Sequence, residues 1–310
     1  GWNGIYFHYN SDNFNSVSEL NYCSIQNGTD YNIRCEGTLQ PRIDNCTITN
    51  ALSREIYIQD PNSVPHITSS NTTLYVDGGT QTIDKTWYNF SGGDYVLLDD
   101  IIVAKQNTKV RLTIQPGVTV KADTSAMLQI AQYVYYNQQH GGELLAEGNA
   151  DSTITFTSLN GQPGGWDGIF FHYNSDAFGS ESYLKYCTIE NGKDFNIKSA
   201  GSAEPRIDHC TVSNSNGYDI YAVAPNDVQH VTNTNSTVYV GAGTQTINKT
   251  WHYYGGEYIV VGDMVVAKQN DTVRLTIEPG ITVKVDTTFQ IKIAQYVYYN
   301  QQHGGEIYAI

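Results

Sequence analysis

Apolar and polar residues alternate in short runs along the whole chain, as at residues 73–76, 118–121 and 153–158, with Asn, Gly, Asp or Pro interrupting each run. A period of two predicts half-buried strands, and the interruptions predict tight turns. No stretch carries a helical stripe. The long Gly- and Pro-free run at residues 101–115 is itself β-branched and alternating. The pattern predicts an all-β protein.

Self-similarity organises these strands. GWNGIYFHYNSD at Gly1 returns as GWDGIFFHYNSD at Gly165, an offset of 164. PRIDNCTITN at Pro41 returns as PRIDHCTVSN at Pro205, and GTQTIDKTW at Gly79 as GTQTINKTW at Gly243. After a deletion near Asn89 the offset becomes 163, and AQYVYYNQQHGGE recurs unchanged at Ala131 and Ala294. The chain is about two copies of one module. A shorter step lies inside it. Apolar-x-x-Cys-x-apolar occurs around Cys23 and Cys46, and again around Cys187 and Cys210, 23 residues apart each time.

Short strands at that step predict the coils of a right-handed parallel β-helix, a solenoid of about 23 residues per coil in two tandem near-copies. Equivalent residues would stack about 4.8 Å apart, giving about 13 coils and roughly 60 Å of length. A chain of β-sandwiches is the runner-up, but it calls for hairpin dipeptides at 8–12-residue spacing. By phase, the organisation reads as residues 1–80, the later part of a first module; 81–243, a complete module; and 244–310, the start of a third.

Composition narrows the function. Lys and Arg number 17 against 31 Asp and Glu, a net charge of −14. Such a surface cannot replace counterions on a phosphate backbone, which disfavours nucleic acid and anionic membranes as partners. No apolar run approaches the length of a membrane span. With 40% hydrophobic and 12% aromatic residues the chain can fill a core, so disorder is excluded. Gly1 in place of an initiator Met, with no signal-like segment after it, reads as a processed or cropped chain.

The succession GGDYVLLDDIIVAKQNTKVRLTIQPGVTVKAD, GGELLAEG, ITFTS, GGWDGIFF, SYLKYCTIENG and EPRIDHCTV resembles right-handed parallel β-helix repeats. These occur in large secreted surface proteins of bacteria and archaea within the pectate-lyase-like superfold. The resemblance spans essentially the whole chain and implies an extracellular or cell-surface location. That superfold hosts lyases, hydrolases, adhesins and structural proteins alike. The Tyr- and Gln-rich insert at residues 132–140 departs from the usual pattern, where a short turn stands.

Candidate chemistry is sparse. Cys23 with Cys46, and Cys187 with Cys210, share a register on adjacent coils and read as buried stacks of core thiols. A rung-to-rung disulfide is the alternative, allowed by the Cα spacing but opposed by parallel Cβ vectors. Cys35, replaced by Ser199 in the second copy, is the candidate for a loose thiol or an intermolecular link. His8 and His172, His66 and His230, and His140 and His303 recur, but none has zinc-binding spacing. The RIDNC and RIDHC segments look superficially like the pectate-lyase strand motif, whose relatives bind calcium through stacked carboxylates and use an Arg or Lys base. The 23-residue step puts Asn21 below Asp44, Lys185 below Asp208, Glu19 below Arg42 and Tyr183 below Arg206. No acidic ladder results, so no catalytic residue, metal ligand or cofactor is assigned.

Asn-x-Ser/Thr acceptors stand at Asn27, Asn45, Asn71, Asn89, Asn235, Asn248 and Asn270, of which Asn71 and Asn235 are equivalent in the two copies. The expectation is therefore a structural, self-assembling surface protein: a filament, sheath or stalk subunit and not an enzyme. Gly1 starts at the phase of Gly165, and Ile310 stops at the phase of Glu147. Head-to-tail docking of copies is the association this predicts, with contacts from Tyr133, Tyr135, Tyr136, Tyr296, Tyr298 and Tyr299. The alternative is a carbohydrate-binding adhesin in which these tyrosines stack on glycans. A polysaccharide lyase-like enzyme comes third.

Overall fold

A computed structural model describes residues 1–11, 13–38, 41–134, 138–297 and 301–309. Over these the protein is all-β, with long parallel sheets. Helical structure among the described residues is limited to short 3₁₀ turns, Asn13–Asn15, Pro61–Ser63, Ala177–Gly179 and Pro225–Asp227.

Sheet I has nine strands, from Ile5–Phe7 through Leu74–Val76 and Thr119–Ala122 to Thr211–Ser213. Sheet II also has nine, from Gly79–Gln81 through Ile169–Phe171 to Thr282–Val285. Sheet III has six, from Lys85–Trp87 to His230–Thr232. Pairing within all three is parallel. The chain visits them in rotation: Thr119–Ala122 in I, Leu128–Ile130 in II, Glu143–Glu147 in III, then Ile154–Ser158 back in I. Smaller parallel sheets flank these, among them Glu19–Asn21 with Arg42–Asp44 and His66–Thr68.

The 23-residue step holds where loops match, as from Ile33 to Ile56 and from Ile197 to Ile220. Elsewhere it does not. Partners are 18 residues apart from Ile56 to Leu74 and 36 apart from Thr119 to Thr155. The strands stay short, and the connections absorb the difference.

Alternation sorts the side chains. In Ile154–Ser158 the residues Ile154, Phe156 and Ser158 are buried, while Thr155 and Thr157 lie nearer the surface. The inward residues line one continuous core that includes Ile33, Ile56, Leu74, Tyr95, Val120, Phe156, Ile189 and Val212. Trp87 stacks on Tyr95 at 4.8 Å, and Trp251 on Tyr258 at the same distance in the second copy. Two buried asparagines, equivalent in the two copies, are satisfied alike, which avoids a cost of about 1–3 kcal/mol for an unpaired group. Asn32 accepts from Gly28 N–H and donates to Thr49 O; Asn196 does the same with Gly192 and Ser213.

The insert at residues 132–140 leaves this stack as an antiparallel hairpin of Gln132–Val134 and Gln138–Gly141, to which Lys105–Gln106 adds a third strand. Gln295–Val297 and Gln301–Ala309 repeat the arrangement with Lys268–Gln269. The hairpin's base is narrow. A methyl group at Gly142 would fall 2.7 Å from Ala131 N.

Repeat and sheet fall out of phase. Strands from Ile5–Phe7 to Thr119–Ala122 belong to sheet I, yet their counterparts from Ile169–Phe171 to Thr282–Val285 belong to sheet II. One module thus advances the chain by six passes through sheet I plus one sheet.

Candidate functional site

The RID segments lie as the 23-residue step requires: Asn21 pairs with Asp44, Lys185 with Asp208, Glu19 with Arg42 and Tyr183 with Arg206. Each Asp has local work. Asp208 accepts from Thr232 Oγ1 at 2.8 Å and from Asn233 Nδ2 at 3.0 Å, with His209 Nδ1 at 2.8 Å. Partial burial opposes its ionisation, but these partners outweigh it and hold the carboxyl down at about 2. Asp44 likewise accepts from Thr68 Oγ1. The motif that looks catalytic in sequence ties one strand end to the next.

A polar groove of about 320 Å³ opens beside it, lined by Asp176, Ser180, Glu181, Ser182, Glu204, Arg206 and His230. The buried Lys249 reaches Glu204 at 3.3 Å and donates to Val228 O. His230 stacks on His252 at 4.0 Å, and His252 Nδ1 meets Glu278 Oε1 at 3.0 Å. Burial pushes the His230 imidazole down, with His252 and Arg206 adding to the effect. Burial pushes Asp176 up, against the N–H of Glu204 that it accepts. The first module keeps Asp12, Arg42 and His66 at the equivalent positions but has Val17 and Gln40 where this groove has Glu181 and Glu204. The two glutamates of the groove belong to one copy only. The groove can offer hydrogen bonds to a hydroxyl-rich ligand. Among the described residues, no group of three or more His, Cys, Asp or Glu gathers to hold a metal.

All five cysteines are free thiols. Ser24 pairs with Thr47, which sets Cys23 beside Cys46, and the strand Cys187–Glu190 lies next to Thr211–Ser213 in the same way. Cys46, Cys187 and Cys210 are buried, whereas Cys23 is only half-buried. Cys46 Sγ donates toward Leu20 O and Asp44 O, and Cys210 Sγ toward Leu184 O and Asp208 O. Cys35 is an unpaired thiol, but its burial corrects the alternative of an intermolecular link. It is fully buried in the strand Tyr31–Cys35, and burial pushes its thiol up to about 12. Such a group cannot reach another molecule.

All seven acceptor asparagines, Asn27, Asn45, Asn71, Asn89, Asn235, Asn248 and Asn270, are exposed. Asn89 Nδ2 donates to Pro116 O at 2.9 Å, so a glycan there would displace a bond. Of the six tyrosines, Tyr135, Tyr136, Tyr298 and Tyr299 lie outside the described residues. Tyr133 and Tyr296 fall in strands of the two hairpins. No membrane-crossing helix occurs among the described residues.

Sequence reasoning missed two aromatic residues. Phe14 and Phe178 sit in equivalent 3₁₀ turns with φ of 63° and 57°, a left-handed backbone that costs a Phe about 1–2 kcal/mol. Phe14 is 99% exposed and Phe178 44%. Their shared NSD-x-F context in the two copies was the available signal. No protein-family model, curated protein or solved structure matches this chain.

Proposed function

We propose that the chain is a shaft segment of an extracellular structural protein, a right-handed parallel β-helix that self-associates head-to-tail into a filament, sheath or stalk. The observation that carries this reading is the junction between the copies. Leu128–Ile130 pairs with Ile169–Phe171, Glu143–Glu147 with Tyr183–Lys185, and Ile154–Ser158 with Cys187–Glu190, all in parallel. Module thus joins module by the pairing used inside each, which suits a rod of indefinite length. The rotation of strands among sheets I, II and III supports the solenoid. The net charge of −14 and the Asn- and Thr-rich exterior suit a soluble external surface. Purified protein examined by negative stain across a concentration series should give unbranched rods that lengthen with concentration. Particles of one fixed length at every concentration would contradict self-association.

A second reading, glycan binding, is favoured by the groove at Asp176, Glu204 and Arg206. A glycan array should separate the two. Binding abolished by Arg206→Ala would make the groove a lectin site, and no binding leaves the structural reading alone.

A further inference from the structure

Sheet II carries three tyrosines grouped around one ring. In the strand Tyr218–Ala222, Ile220 and Ala222 are buried and Tyr221 points outward; in Thr237–Val240, Tyr239 does so between the buried Val238 and Val240. Tyr221 and Tyr239 are register partners on neighbouring strands. The Tyr218 ring reaches both of them. Its centroid lies 4.8 Å from that of Tyr221 at an interplanar angle of 22°, and 4.7 Å from that of Tyr239 at 47°. All three residues are partly exposed, so an oxidant in solvent has access to them. The first copy has Arg54, Tyr57 and Tyr75 in their places, with the Arg54 guanidinium 5.2 Å from the centre of the Tyr57 ring. A guanidinium does not give up a hydrogen atom as a phenol does, so the phenol group is complete in one copy only.

We propose that Tyr218 and Tyr239 form an oxidative cross-linking site, joined through their ortho carbons as dityrosine when a haem peroxidase and hydrogen peroxide supply the oxidising equivalents. Each phenol gives up one electron and its hydroxyl proton. The two radicals couple in one new carbon–carbon bond, and the two ring hydrogens at that bond pass to the oxygens and restore the phenols. The peroxide O–O bond breaks, takes up the two electrons and two protons, and leaves as two waters. The chain loses two hydrogens in all. Tyr239 is the better partner for Tyr218, because the tilt between their rings brings edges together, whereas Tyr221 lies nearly parallel to Tyr218. Burial raises the Tyr239 phenol, and the carboxylates of Asp219 and Glu257 add to the effect, so it enters the reaction as the neutral phenol. The bond would tie the strand Tyr218–Ala222 to Thr237–Val240 covalently, in a register that backbone pairing has already set. The site lies within one chain and does not depend on self-association.

Peptide mapping after treatment with a haem peroxidase and hydrogen peroxide tests this. A protease that cleaves before aspartate separates the three rings, because Asp208, Asp219, Asp227 and Asp263 put Tyr218 in 208–218, Tyr221 in 219–226 and Tyr239 in 227–262. Mass spectrometry should find 208–218 joined to 227–262 with two hydrogens lost, and fragment ions should place the bond at Tyr239. Dityrosine fluorescence should appear with it, and the yield of the joined pair should not change with protein concentration. Tyr218→Phe and Tyr239→Phe keep the rings and hence the packing, which far-UV circular dichroism checks. Each should lower the yield of the joined pair by about tenfold or more, because no other phenol in those peptides has this proximity. Wild type should leave 44–59 and 60–76, which hold Tyr57 and Tyr75, unjoined, and Arg54→Tyr should join them. No joined pair in wild type, an equal yield in Tyr218→Phe, or a yield that rises with protein concentration overturns the site and leaves the self-association reading untouched.

Discussion

At many turns between strands, one residue takes a left-handed conformation. Asn27, Asn45, Asn50, Asn191 and Asn214 fill such places at φ of 53–68°, a conformation that asparagine tolerates better than most residues. Tyr22 takes the same conformation at φ 53° while 80% exposed, with little packing in return. Tyr22→Asn should therefore stabilise the protein by about 0.5–1 kcal/mol in urea denaturation. Glu143 poses the opposite case. Burial opposes its charge, but the N–H of Glu181 and the cations of Arg111 and Lys109 prevail and hold the carboxyl below its usual range. A lowered folded value means that the stabilisation is present above about pH 4.3 and is lost as pH falls through the folded value. Glu143→Gln should cost about 1–3 kcal/mol at pH 7, discounted for the partial exposure of both cations, and the gap from wild type should close in acid. A gap that persists at pH 2.5 would mean that packing, and not charge, holds this side chain.

Among the elements, strand identity and inward face were legible from alternation, because a period of two survives any loop length. The register at Cys23 and Cys46 was legible because paired strands there lie a constant 23 residues apart. The spacing of paired strands elsewhere was not. The pairing from Ile56 to Leu74 is short and that from Thr119 to Thr155 long, and nothing in either strand announces the loop between them. The RID segment was rightly discounted as a site from its register, but the hydrogen bonds that Asp208 accepts from Thr232 and Asn233 were not legible in it. The Tyr–Gln insert read as an irregular replacement for a turn, yet it is a hairpin whose base closes at Ala131 and Gly142. Backbone bonds from Ala131 N to Val103 O and from Glu143 N to Val110 O fix both of its ends to the stack. Excising residues 132–141 and joining the ends through two glycines should leave the melting temperature within about 5 °C of wild type. Loss of cooperative melting in that variant would show that the hairpin organises the strands that flank it.

On the scale of the whole molecule, the sequence repeat and the folding unit are different things. Sheet I runs from Ile5–Phe7 in the first copy to Thr211–Ser213 in the second, and sheet II from Gly79–Gln81 to Thr282–Val285. Leu74 pairs with Tyr95 and Val238 with Tyr258, so pairing also crosses the phase boundaries at 80 and 243. Equivalent strands of the two copies therefore belong to different sheets, and so do the strands that flank the two hairpins. The connection at residues 159–163, between Ile154–Ser158 and Ile169–Phe171, is exposed. Cutting it severs the chain between the copies but breaks no strand. A protease site placed there should yield two fragments that co-elute at the size of the intact chain and separate only in denaturant, because three sheet pairings and one core cross the cut. Fragments that part in native buffer would mean that the module, and not the continuous stack, is the unit that folds.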